Sequence, residues 1–199
     1  MKYFLLSCLS VFILTSCSTD KEPFVYENKY EKLSPEEYLT TYTTPEVMFH
    51  YMEVNDNAET ANGLLIDNKG RVFQYSNQSI DIEPGSLIAP VSTLVKLLTH
   101  SVKTEKTVDL AQLVENYKMT RKVDVKRLDN SVSTQDKDFY FMGYDVAYDA
   151  EGNETCSAIG VSSNVYVQKI LKSKNAINKS SYASKIVKWM ATMLNKSDA

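Results

Sequence analysis

Phe139-Tyr140-Phe141-Met142-Gly143-Tyr144-Asp145-Val146-Ala147-Tyr148 is the run whose reading decides the fold class. It is aromatic and free of proline, as a strand requires. With a period of two, Tyr140, Tyr144 and Tyr148 share one face with Met142 and Val146 between them. Phe139, Phe141, Gly143, Asp145 and Ala147 take the other face. Both faces are too apolar to be left wet, so the run predicts a central strand. Gly143 is a candidate bulge that would break the tyrosine stripe. Asp149-Ala150-Glu151-Gly152-Asn153 reads as a turn and Glu154–Val161 as a returning strand. After a second turn near Ser163-Asn164, Val165–Leu171 reads as a third strand. The whole is a C-terminal meander.

Working outward, Val47–Val54 (VMFHYMEV) predicts another strand, with Val47, Phe49 and Tyr51 on one face and Met48, His50 and Met52 on the other. Asp56–Asn62 reads as a polar loop. Gly63–Tyr75 predicts a hairpin around Asp67-Asn68-Lys69-Gly70, with Gly70 in the left-handed position. Helices precede and follow these strands along the chain. Ser34-Pro35-Glu36-Glu37 is a capping box that opens a short helix ending near Thr43, with Tyr38 and Leu39 inward. Pro90 opens a helix whose Val91, Leu94, Val95 and Leu98 form one buried stripe. Asp109 caps the next, where Leu110, Leu113, Val114 and Tyr117 repeat the spacing and Lys118, Arg121 and Lys122 complement the dipole at its end. Asp124–Asp138 reads as a loop. Ser180 or Ser181 caps a last helix with Ala183, Ile186, Val187, Met190 and Leu194 inward and Trp189 nearby. Helices and strands do not alternate as βαβ units would. The expected class is α+β: an antiparallel sheet, hairpin plus C-terminal meander, packed on one face by about four helices.

The 199 residues are 43% hydrophobic and 24% charged, which describes an ordinary globular chain rather than a disordered or fibrous one. The net charge of −3 is unevenly spread. Cys17–Asp67 carries 11 acids against 3 lysines, and Val161–Ala199 carries 7 lysines against Asp198 alone. The lysines are dispersed rather than blocked, so they read as solvated surface and not as a nucleic-acid footprint.

The residues that carry chemistry form few constellations. His50 and Glu53 are three apart, and on a strand that spacing points them to opposite faces. His100 is the only other histidine and stands at a helix end. With no Cys/His cluster, no metal or other cofactor is expected. Serine-hydrolase chemistry lacks its elbow and its base, since Ser181-Tyr182-Ala183-Ser184-Lys185 does not give the S-x-x-K spacing. Six glycines provide no phosphate-cradling loop. Glu36-Glu37 belongs to a helix start, and only a carboxylate pair assembled by folding would make a hydrolase. The chain is therefore read as non-enzymatic. Its one candidate binding feature is the set Tyr140, Tyr144 and Tyr148: exposed together, they would stack on sugar rings or meet a protein partner. Buried, they are core.

The N-terminus carries an address. Met1 and Lys2 precede the apolar run Tyr3–Leu14, which is far shorter than the ~20 residues a bilayer core needs. Leu14-Thr15-Ser16-Cys17 follows. Cys8 lies too near Lys2 to leave an apolar segment before it. In these residues the chain resembles bacterial lipoprotein precursors. The resemblance implies cleavage before Cys17 and acylation of its thiol, giving a diacylglyceryl cysteine with more than one chain, as firm anchoring requires. It also implies that Ser18, where an aspartate would retain the protein at the inner membrane, directs it to the outer membrane. The charged Asp20-Lys21-Glu22 is similar to a surface-export signal, although a periplasmic face remains open. With Cys17 acylated, Cys156 is the only cysteine left in the mature chain and reads as a small buried hydrophobe.

The expected organisation is a signal peptide over 1–16, a tether over 17–33 and one α+β domain over 34–199. The expected function is an outer-membrane lipoprotein that binds a protein or glycan partner. The alternative is a periplasmic immunity or inhibitor lipoprotein that neutralises a toxin or hydrolase.

Overall fold

The computed structural model describes residues 33–55, 59–79, 82–83, 86–130, 137–146 and 165–194. Leu33–Ala199 forms one compact unit. Helix α1 (Pro35–Thr41) precedes strands β1 (Val47–Val54), β2 (Thr60–Asp67), β3 (Arg71–Ser79) and β4 (Ile88–Pro90). Helix α2 (Val91–Thr99), strand β5 (Val102–Thr107) and helix α3 (Leu110–Arg121) follow. A 3-10 turn (Val125–Arg127) leads to β6 (Leu128–Asn130), β7 (Phe139–Asp145), β8 (Val165–Ser173), β9 (Ala176–Asn178) and helix α4 (Ser181–Leu194).

Among the described residues, the strands make a single nine-stranded sheet in the order β5-β3-β2-β1-β7-β8-β9-β6, with β4 also on β8. Every pairing is antiparallel. The class is α+β, with an antiparallel sheet packed by helices.

Local chemistry places the ends of these elements. Ser34 Oγ accepts from the Glu37 amide while the Glu37 carboxylate accepts from the Ser34 amide, closing the box at the start of α1. Asp109 Oδ1 accepts from the Gln112 amide at the start of α3, and Ser180 Oγ accepts from the Tyr182 amide at the start of α4. In the β2–β3 hairpin Gly70 has φ +72°, where a Cβ would press on the Val108 carbonyl. The fully buried Asp67 accepts from the amides of Lys69 and Arg71 and pairs with the Arg71 guanidinium.

The core lies on both faces of the sheet. On one, α1, α3 and α4 bring Tyr38, Leu113, Tyr117, Ile186 and Met190 against Phe49, Tyr51, Leu64, Ile66 and Phe141. On the other, α2 brings Leu94 and Leu98 against Met52, Leu65, Tyr75, Met142 and Tyr144. Three of the described helices thus share a face, and α2, expected with them, covers the opposite one. This double cover explains why β1 and β7 are nearly continuous apolar runs.

Three further expectations are corrected. Strand alternation places Val47 with Phe49 and Tyr51, but the register of β1 against β2 shifts between Val47 and Phe49. The extra residue puts Val47 on the α2 side, with Met48 beside Phe49 on the other. The meander exists, but its strands are β7, β8 and β9. The predicted return strand Glu154–Val161 and Cys156 lie outside the described residues, and β1 and β8 take both edges of β7. The polar loop ends earlier than expected, since β2 already begins at Thr60.

Gly143 marks no bulge in β7. The shift between β7 and β8 falls between Phe141 and Met142. The glycine instead faces α3, where a Cβ would lie 2.7 Å from Thr120 Cγ2. Gly143→Ala is expected to lower stability by about 1–3 kcal/mol through overpacking. Thr120→Ser removes the opposing methyl and should recover part of that loss. Urea unfolding of the two single variants and the double variant checks this. An equal loss in both backgrounds would show that Thr120 does not set the requirement.

Candidate functional site

Among the described residues, three places gather chemistry-bearing side chains. The first is the centre of the sheet. His50 on β1 is completely buried. Its Nε2 lies 2.6 Å from the Tyr75 hydroxyl and its Nδ1 lies 3.0 Å from the Tyr144 hydroxyl. Tyr75 belongs to β3, two strands away from β1, and its ring crosses β2 in the space over Gly63. A Cβ at Gly63 would collide with that ring and with the Tyr51 carbonyl. Burial drives the His50 pKa down to about 3 and raises those of both tyrosines. The imidazole is therefore neutral and both phenols are protonated. One arrangement satisfies every partner: the Tyr75 O–H donates to Nε2, Nδ1–H donates to the Tyr144 oxygen, and the Tyr144 O–H turns to Met142 Sδ, 4.0 Å away. Glu53 is bonded by Tyr51 on the other face, at 2.8 Å. His50 and Glu53 do not converge.

The second place is the end of α3. Lys169 Nζ on β8 donates to the carbonyls of Thr120 and Arg121, each at 2.9 Å. It also lies 3.7 Å from Asp145 Oδ2. Asp145 accepts from the Tyr117 hydroxyl and the Val146 amide, both at 2.9 Å, and faces Arg121 at 3.9 Å. A cation that satisfies the last carbonyls of a helix needs a counter-charge when buried, and Asp145 supplies it. Desolvation outweighs that carboxylate and lowers the Lys169 pKa.

The third is a cleft of about 160 Å³ between α2 and the ends of β1, β2 and β3. Met52, Ala61, Tyr75, Ile82 and Leu97 give its apolar surface. Gln78, Ser79, Thr93, Lys96 and His100 give its polar one. Thr93, Lys96, Leu97 and His100 lie on one face of the helix by their spacing. His100 Nδ1 is 2.7 Å from the Lys96 carbonyl and must donate to it, because a carbonyl only accepts. Nearby, Asn55, Asn62, Asn77 and Thr60 bond to one another and hold Asn77 at φ +54°.

Of the tyrosine stripe, Tyr140 and Tyr144 do not form an exposed pair. Tyr144 is 0% exposed and spent on His50, and Tyr140 is half-buried beside it. Tyr148, like Cys17, lies outside the described residues. Among the described residues no three His, Cys, Asp or Glu side chains gather as metal ligands, and no helix is long and apolar enough to cross a membrane. Comparison with protein-family models, with curated proteins and with solved structures finds no match.

A neutral buried histidine has a measurable consequence. Below its ordinary pKa near 6.5 the unfolded chain takes up a proton that the fold refuses. The contribution of His50 is full above that pH and is lost as the pH falls toward 3, with a slope of up to about 1.4 kcal/mol per pH unit. Urea midpoints of the wild type should therefore rise more steeply between pH 3.5 and 6.5 than those of His50→Gln. Parallel profiles would show that His50 is not the group refused.

Proposed function

We propose that the chain is an outer-membrane lipoprotein, held through acyl chains on Cys17, whose domain binds a protein or glycan partner and does no chemistry on it. Leu14-Thr15-Ser16-Cys17 supports the anchor. The observation that carries the binding reading is the engagement of the buried ionisable groups among the described residues. His50 is closed between two phenols, Lys169 and Asp145 finish a helix, and Asp67 holds a hairpin. Each is consumed by the fold, so the domain meets its partner through surface shape and surface polarity. The mixed cleft under α2 is one concave part of that surface.

Metabolic labelling with a palmitate analogue, followed by membrane fractionation, tests the anchor. Wild type should carry the label and sediment with the outer membrane. Cys17→Ala should lose both properties while keeping its fold. A labelled, membrane-held Cys17→Ala variant would overturn the assignment. Protease added to intact cells then reads the side. Digestion places the partner outside the cell, and protection until the outer membrane is opened places it in the periplasm.

A further inference from the structure

We propose that Asn62 is a deamidation site that the fold holds shut, so that modification there records opening of the β1–β2–β3 end of the sheet. Asn62-Gly63 is the only Asn-Gly pair in the chain. Asparagine loses its amide when the next backbone nitrogen attacks the side-chain carbonyl carbon, and a following glycine puts no side chain in the way. A base removes the Gly63 amide proton and the nitrogen bonds to Asn62 Cγ. The Cγ–Nδ2 bond breaks and ammonia leaves, giving a succinimide. Water opens that ring at either carbonyl, to aspartate or to isoaspartate.

The structure requires both members of the pair. Gly63 must lack a side chain because the Tyr75 ring crosses β2 there. Asn62 must accept a hydrogen bond because β3 carries a bulge. Ala61 faces Gln78 and Gly63 faces Tyr75, so β3 takes three steps where β2 takes two. The bulge contains Asn77, at φ +54°, whose amide donates to Asn62 Oδ1 at 2.9 Å. The labile pair therefore comes with the fold.

The fold immobilises the reacting groups instead. Asn62 Nδ2 donates to Asn55 Oδ1 at 2.8 Å, and Asn55 is held in turn by Thr60 and Asn77. The side-chain amide is thus fixed at both its oxygen and its nitrogen. Gly63 lies in the middle strand of three, opposite Met52 on β1 and Tyr75 on β3. Its nitrogen cannot turn onto Cγ while both ladders hold β2 extended. Base and water do not limit the reaction, since Asn62 is half-buried and Asn77 exposed. The reaction waits on local opening, and its rate is the open-chain rate multiplied by the open fraction. Isoaspartate adds one atom to the backbone before Gly63, which displaces the gap that Tyr75 needs.

The full chain, in nonionic detergent micelles, is incubated in mildly alkaline buffer with and without urea above its unfolding midpoint. Peptide mapping by mass spectrometry follows the change from amide to acid at each asparagine. In urea, Asn62 should react faster than every other asparagine. In native buffer its rate should fall by about tenfold or more. Asn55→Ala frees Nδ2 and should raise the native rate severalfold while leaving the rate in urea unchanged. Thr60→Ala, which loosens Asn55, takes its place if circular dichroism shows that Asn55→Ala misfolds. Another asparagine reacting first in urea would overturn the site. Equal rates with and without urea would overturn the gating by the fold, and a native rate indifferent to the variant would overturn the clamp.

Discussion

An imidazole at the centre of a sheet covered on both faces must stay neutral and must have both nitrogens satisfied. His50 meets that constraint through Tyr75 and Tyr144, and much of the domain follows from it. Tyr75 can reach β1 only by lying across β2, so the crossing point must lack a side chain, and Gly63 stands there. Tyr144 can reach only from the α2 face of β7, which puts Phe139, Phe141 and Gly143 on the other. Gly143 then faces α3 and lets Thr120 come close. The hydrogen-bonded group thus helps fix the register of four neighbouring strands, where apolar packing alone would tolerate slips.

The charges at the end of α3 do the corresponding work on the opposite face. Three helices cover that side, and α3 ends over the sheet rather than in solvent. Its terminal carbonyls need donors, and Lys169 reaches them from β8. A lone buried ammonium would cost several kcal/mol, so Asp145 at the end of β7 accompanies it and is itself held by Tyr117 from α3. The loop closes from helix to β8, to β7 and back to helix. It ties the register of β7 and β8 to the position of the helix above them.

Elements with local causes were legible in the chain: the capping box at Ser34, the cap at Asp109, the turn at Gly70 and the stripes on α2, α3 and α4. What was hidden is non-local. Periodicity places Tyr144 and Tyr140 on one face correctly but cannot say whether water or α2 lies over it. Parity separates His50 from Glu53 correctly but cannot supply Tyr75, which is two strands away. A bulge at Val47 shifts one residue to the other face with no compositional trace. Strand β5, polar and exposed along the sheet edge, carries no apolar alternation at all. The cleft was invisible for the same reason: its walls come from three strands and a helix. Only its helical face, Thr93, Lys96, Leu97 and His100, has a spacing that can be read from the sequence, and a solvated helix surface would read the same way.

The two features of the α2 face are joined by one side chain. Tyr75 presents its ring to the cleft and its hydroxyl to His50, so the wall of the cleft is also an arm of the buried network. The His50 imidazole is kept from the cleft by that ring, and a pKa near 3 leaves it no proton to give at neutral pH. Its influence on the cleft is therefore positional. It sets where the Tyr75 ring stands, and the gap at Gly63 is what lets that ring cross β2. Among the described residues, the buried acids and bases are likewise occupied in holding the fold.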